Sequence, residues 1–103
     1  MARARAISVS GLENAMHHLT DHLLRKMLTE VLALKPGQAD AFTPETGLFG
    51  HLPELDSMAV AGLLTEMEDR LDIVIEDDEI DGELLESYGS LLAFARSKRG
   101  EEA

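Results

Sequence analysis

Four places in the sequence hold residue types that could do chemistry. Helix-forming sequence near the start carries His17, His18 and His22, and His18 and His22 stand four apart. On a helix that spacing puts two imidazoles on one face, where they could share a metal ion. The glutamate of a zinc protease motif is missing, and the chain has no cysteine, so these histidines read as a polar helix surface and no metal site is expected. Asp77, Glu79, Asp81 and Gly82 match positions 1, 3, 5 and 6 of a calcium-binding loop. Position 12 must be a chelating glutamate and is Tyr88 instead, while position 9 is Leu85, so the most demanding ligand is absent. Ser57, His51 and Asp56 supply the residue types of a hydrolytic triad, but near neighbours in sequence do not reach triad geometry without a nucleophile elbow. The fourth place is Glu54-Leu55-Asp56-Ser57-Met58, where a serine follows a proline-rich stretch and opens an amphipathic segment. Two readings are open there. Asp56 or Ser57 caps the first amides of a helix. Alternatively, those amides and the helix dipole stabilise a phosphate, so that Ser57 carries a phosphodiester.

The segments that must position these residues are helical. Ser10-Gly-Leu-Glu13 fits a capping box, with Ser10 as N-cap. Leu12, Met16, Leu19, Leu23, Met27, Val31 and Leu34 then recur at three- and four-residue steps, which predicts helix I ending at Lys35-Pro36-Gly37. All three prolines fall within residues 36–53, so a long loop is expected, with Leu48, Phe49 and Leu52 pinning it to the core. Helix II starts at Asp56-Ser57 with Val60, Leu63, Leu64, Met67 and Leu71 as its buried stripe. Gly62 in its interior suggests a close approach by another element. Ile73-Val74-Ile75 reads as a connector, because no second strand exists to pair with it. A short helix III is expected around Ile80–Leu85. Helix IV, capped by Ser87, is expected over Tyr88–Ser97 with Tyr88, Leu91, Leu92, Phe94 and Ala95 inward. The fold class is all-α: a four-helix bundle with three main helices, one short third helix and a long loop between helices I and II. Residues 1–9 are expected to be a flexible arm, 10–97 the domain, and 98–103 a frayed tail.

Composition limits what such a domain does. The 103 residues carry 20 acids and 9 bases, a formal charge of −11, and residues 36–95 hold one base only, Arg70. A surface so acidic repels phosphate backbones, which excludes nucleic acid as a partner, and steers toward basic patches on proteins. No apolar run reaches the length of a membrane span. The N-terminus has no secretory h-region. A cytoplasmic monomer is expected.

Leu55-Asp56-Ser57-Met58 and the sequence that follows, to Ile75, resemble the acyl carrier protein family, whose signature is Asp-Ser-Leu opening a helix that ends in an acidic stretch. Met58 stands for the usual leucine, a volume-conserving change. Glu68-Asp69-Arg70-Leu71-Asp72 matches the helix end and Ile75 the buried isoleucine of the connector. Asp77-Asp78-Glu79 and Tyr88-x-x-Leu91-Leu92-x-Phe94 match the later helices. The resemblance covers about residues 12–97 and implies a carrier, not an enzyme. In this family the serine matching Ser57 receives 4′-phosphopantetheine from coenzyme A through a phosphopantetheinyl transferase and magnesium. Asp56 then supports transfer, and Met58 is flanking recognition. The arm's thiol holds acyl or related cargo as a thioester for synthase, acyltransferase or ligase enzymes of fatty acid, polyketide or other specialised synthesis. These partners grip with basic patches, on Val60, Ala61, Glu66, Glu68 and Asp69 by this reading. Val60, Leu64, Met67, Ile75 and Tyr88 are candidates to line a cavity for an apolar chain, or are simply core. The sequence departs from the pattern at Glu54, where glycine is common. It departs again in the uncharged first turns of helix II, Met58-Ala-Val-Ala-Gly62, which favour apolar over salt-dependent contacts. The alternative is an acidic helical interaction module without a prosthetic group, in which Asp56 and Ser57 only cap a helix.

Overall fold

The structure is a computed structural model describing the backbone of residues 9–100 and the side chains of residues 18–100. Three α-helices lie among the described residues: α1 (Val9–Leu32), α2 (Ser57–Leu71) and α3 (Tyr88–Lys98). Short 3₁₀ turns lie at Ala39–Ala41 and Asp77–Glu79. The expected arm over residues 1–8 and the tail end at 101–103 lie outside the described residues. Lys98 is not frayed: its ammonium pairs with Glu79 at 2.7 Å. Ser10 sits within α1 rather than before it, since the helix already includes Val9.

The helices form where periodicity and caps predict, and stop where buried side chains require. α1 ends at Leu32, short of Pro36, because Ala33 takes the left-handed conformation (φ 54°) and the Leu34 amide donates back to Thr29 O at 3.0 Å. α2 ends the same way. Asp72 is left-handed (φ 55°), and the Ile73 amide donates to Glu68 O at 3.2 Å. This reversal places an apolar residue against the preceding turn, and both Leu34 and Ile73 are buried. Burying them outweighs the left-handed strain on a non-glycine residue. The expected helix III does not form. Asp77–Glu79 makes a 3₁₀ turn, and Asp81 then turns the chain by accepting from the Glu83 and Leu84 amides. Leu84 and Leu85 are buried without an α-helix.

α1 packs against both α2 and α3. The core draws Leu24, Met27 and Leu28 from α1, Leu63, Met67 and Leu71 from α2, and Tyr88, Leu91 and Ala95 from α3. The connector inserts Ile73 and Ile75 and leaves Val74 exposed, as its alternation predicts. The α1–α2 connection is longer than expected, residues 33–56, and it is not slack. Arg25 reaches from α1 to donate through Nη1 to the carbonyls of Ala39 (2.7 Å) and Phe42 (3.0 Å). Further on, this connection runs antiparallel beside the entry to α3. The amides of Leu48 and Phe49 donate to Glu86 O and Leu85 O, and those of Tyr88 and Gly89 donate to Thr46 O and Pro44 O. Of the three side chains expected to pin this segment, Leu48 is buried and Leu52 packs on the core, but Phe49 is 49% exposed.

Two glycines separate space from necessity. A Cβ on Gly62 would meet only Val31 at 3.9 Å, so the expected close approach is not there. A Cβ on Gly89 would lie 2.8 Å from Pro44 O, so the docked connection requires glycine. Gly62→Ala is expected to raise the unfolding free energy by about 0.5–1 kcal/mol. Gly89→Ala is expected to lower it by about 1–3 kcal/mol. Urea unfolding of both variants checks this.

The Tyr88 hydroxyl donates to the Asp21 carboxylate, whose Oδ1 also accepts from Arg25 Nε at 2.9 Å. Burial raises the Asp21 carboxyl, but these donors outweigh it and hold the group below its ordinary 3.8. A carboxylate with a lowered folded-state pKa contributes stability that is complete above its unfolded value and lost as pH falls through the folded one. The unfolding free energy should therefore fall less on acidification from pH 7 in Asp21→Asn than in the wild type, from a lower value at pH 7; urea unfolding followed by circular dichroism at each pH checks this.

Candidate functional site

The head of α2 is built by its cap. Asp56 is extended (φ −98°, ψ −177°), and its Oδ1 accepts from the Ala59 amide at 2.8 Å. Its main-chain carbonyl accepts from the Val60 amide at 2.9 Å. These bonds satisfy the third and fourth amides of the helix. The first two, on Ser57 and Met58, have no acceptor among the described residues. α3 provides the contrast. Its first two amides are taken by Thr46 O and Pro44 O, and its third by Ser87 Oγ. One helix start is closed by protein carbonyls, and the other is open.

Ser57 is exposed at this open end, and its hydroxyl makes no hydrogen bond among the described residues. The capping oxygen is therefore the carboxylate of Asp56, not the serine hydroxyl. Asp56 Oδ2 has no protein partner among these residues either, and Asp56 is exposed. Met58 stands 85% exposed beside it. Two clefts meet at Ser57. The outer one, of about 400 Å³, is formed by residues 49–57 and includes His51 and Asp56. The inner one, of about 240 Å³, lies between Phe49, Val60 of α2, and Asp81, Gly82 and Leu85.

These residues suit a phosphate ester. Open amides and the positive end of a 15-residue helix offset one negative charge, and the exposed hydroxyl is reachable by a second protein. The other residues singled out by sequence do not join this place. His18 and His22 are exposed on α1. Among the cavity candidates only Val60 borders a cleft; Leu64, Met67, Ile75 and Tyr88 are packed in the core. On α2, Val60 is half-buried and Ala61 and Asp69 are exposed. Glu66 pairs with Arg70 at 2.7 Å, and Arg70 also pairs with Glu30 of α1. Glu68 turns back to accept from the Ile75 amide at 2.9 Å.

Phe49 was misjudged from sequence as a core residue. Only the turn shows why: the Leu52 amide donates to Leu48 O, so Leu48 and Leu52 share the inward side of one turn, and Phe49 falls off it.

No family model matches the chain, and no curated protein does. Among solved structures, the chain is similar to a holo acyl carrier protein from Nitrosomonas europaea, determined by solution NMR. The two are 36% identical, the match covers 79% of this chain and 96% of that one, and the TM-score is 0.71. The fold is thus that of a small helical carrier rather than an enzyme. The chain belongs to the acyl carrier protein family.

Division of labour between Asp56 and Ser57 is measurable. Asp56→Ala is expected to cost about 0.5–2 kcal/mol of stability. Ser57→Ala should leave stability unchanged within about 0.5 kcal/mol. Equal losses in the two unfolding curves would contradict the assignment of the cap.

Proposed function

We propose that the protein carries acyl or related intermediates on a 4′-phosphopantetheine arm joined to Ser57, and presents them to enzymes of fatty acid, polyketide or other specialised synthesis. The observation that carries this reading is that Ser57 has no structural task. Asp56 caps α2, while the serine hydroxyl and two main-chain amides stay open together. An interaction module in which Ser57 serves as the cap would have the hydroxyl tied to those amides. The solved relative is a holo carrier, which supports an attached group here as well.

Each residue has a definite part. Ser57 Oγ forms the ester bond to phosphorus and gives up its proton, with the nucleotide portion of coenzyme A leaving. The Ser57 and Met58 amides stabilise the phosphodiester. Asp56 holds the helix start with one carboxylate oxygen and offers the other to the magnesium of the transferase. Met58, exposed next to the serine, gives that enzyme an apolar handle. The bound arm supplies a terminal thiol, the nucleophile that holds cargo as a thioester in a chain with no cysteine.

Partner enzymes would meet α2 through Met58, Val60, Ala61 and Asp69. Glu66 and Glu68 contribute less, because each is already engaged within the chain. The carrier would act in the cytoplasm as a monomer. Among the described residues no helix is long and apolar enough to cross a membrane.

Incubation with coenzyme A, magnesium and a broad-specificity phosphopantetheinyl transferase is expected to add one phosphopantetheine mass to the wild type and none to Ser57→Ala. Intact-mass spectrometry reads the result. An unmodified wild type, beside a control carrier that is modified, would leave the interaction-module reading in its place.

A further inference from the structure

Both clefts at the head of α2 contain Ser57, and both contain Phe49. A group attached at Ser57 therefore has two ways to lie, and Phe49 walls both. The base of that wall is fixed. The Phe49 amide donates to Leu85 O at 2.9 Å, and the flanking Leu48 amide donates to Glu86 O at 3.2 Å. Leu48 itself is fully buried. The ring is nevertheless 49% exposed. Among the described residues it joins no ring pair; the pair present is Phe42 with Tyr88.

The two clefts differ in chemistry. The outer one sets the His51 imidazole and the Asp56 carboxylate among Leu52, Pro53 and Leu55. The inner one runs from Ser57 along Phe49, Val60 and Leu85, and its one carboxylate, on Asp81, is already held by the Glu83 and Leu84 amides. In phosphopantetheine the phosphate ester leads through one methylene to a carbon bearing two methyl groups, and a hydroxyl-bearing carbon and an amide follow. Those methyls belong against apolar surface, and their covalent distance from Ser57 confines them to the mouth of one cleft or the other. At about 240 Å³, the inner cleft has room for a segment of that size.

We infer that Phe49 is a positioning residue for the arm, its ring holding the two pantoyl methyl groups in the inner cleft against Val60 and Leu85. This rests on the carrier reading. The arm then leaves the protein from between α2 and residues 81–85, rather than across His51, and a partner receives the thiol from that side. An exposed ring on an anchored backbone suits this task, because it contributes apolar contact without ordering a loop.

The test uses the full-length protein loaded with phosphopantetheine, with loading verified by intact mass before any other measurement. In the wild type the pantoyl methyl proton signals are expected to shift upfield of free pantetheine by the ring current. They should also show nuclear Overhauser contacts to the Phe49 ring and to Leu85 methyls. In loaded Phe49→Ala the ring-current shift should vanish and the Leu85 contacts be lost. Phe49→Leu should lose the shift but keep the Leu85 contacts, because an apolar wall remains. Methyl signals at the free position in the loaded wild type would overturn the inference and leave the carrier reading standing. So would contacts to His51 in place of Leu85, or Leu85 contacts that survive Phe49→Ala. A wild type that gains no phosphopantetheine mass would instead overturn the carrier reading, and this inference with it.

Discussion

A single guanidinium ties the long α1–α2 connection to the first helix, and the geometry of the site depends on that tie. Arg25 donates through Nη1 to the Ala39 and Phe42 carbonyls, pairs with Asp21 through Nε, and lies 4.6 Å from the centre of the Tyr88 ring. Tyr88 is the first residue of α3, and its hydroxyl returns to Asp21. One cluster thus joins α1, the connection and the start of α3. Its planar donor fork satisfies main-chain carbonyls that would otherwise be costly to desolvate. Lysine, with a point charge and no fork, does not replace it. With residues 39–42 fixed, the chain arrives beside α3 in register for the antiparallel contacts of 44–49. Phe49, the two clefts and the approach to Asp56 follow from that register.

The two helix starts show how one physical requirement is met in two ways. Every helix begins with amides that lack an intrahelical partner. At α3 they are filled by the carbonyls of the docked connection and by Ser87, which makes the helix a structural anchor. At α2 the cap is a carboxylate one residue before the serine, so two amides and a hydroxyl remain open to solvent. This arrangement is tolerable because the head of α2 is exposed; buried, the same open amides would be a substantial penalty. On the proposed carrier reading, the exposure that permits the unsatisfied amides is also what would let a transferase reach them.

Much of this was legible in the sequence, and the exceptions have physical causes. The start of α2 at Asp56-Ser57, the start of α3 after Ser87 and the burial of Ile73 and Ile75 around an exposed Val74 follow from local capping and periodicity. The end of α1 does not. Pro36 and Gly37 are strong stop signals, yet the helix turns at Ala33 because Leu34 must fold back to be buried, and that demand comes from tertiary packing. The absent helix III has a similar origin. Asp81 diverts its carboxylate to the Glu83 and Leu84 amides, a local bond that competes with helical pairing. Gly62 carried no packing information at all. Of the proposed site, Ser57, Asp56 and Met58 could be named from the motif. Phe49 could not, because its aromatic character suggested the core and only the turn joining Leu48 to Leu52 turns it outward.

Net charge alone is a poor guide to how this carrier meets its partners. Residues 36–95 hold fifteen acids against Arg70, yet several of those acids already answer to the chain itself. Glu66 shares Arg70 with Glu30, Glu68 holds the Ile75 amide, Glu79 pairs with Lys98, and Asp81 and Asp56 hold turns. What surrounds Ser57 most closely on α2 is apolar: Met58, Ala59, Val60 and Ala61. Diffuse negative charge over the rest of the surface acts at the range of a Debye length, about 8–10 Å in physiological salt, and sets the rate of encounter. On the α2 side of the serine, contacts made within a few ångströms are set by side chains that carry no charge. On the proposed docking surface, salt should therefore act mainly on association, while the lifetime of a docked complex would follow apolar fit around Met58 and Val60. Such a division would let one acidic surface attract many basic proteins while only those with a matching apolar recess retain it.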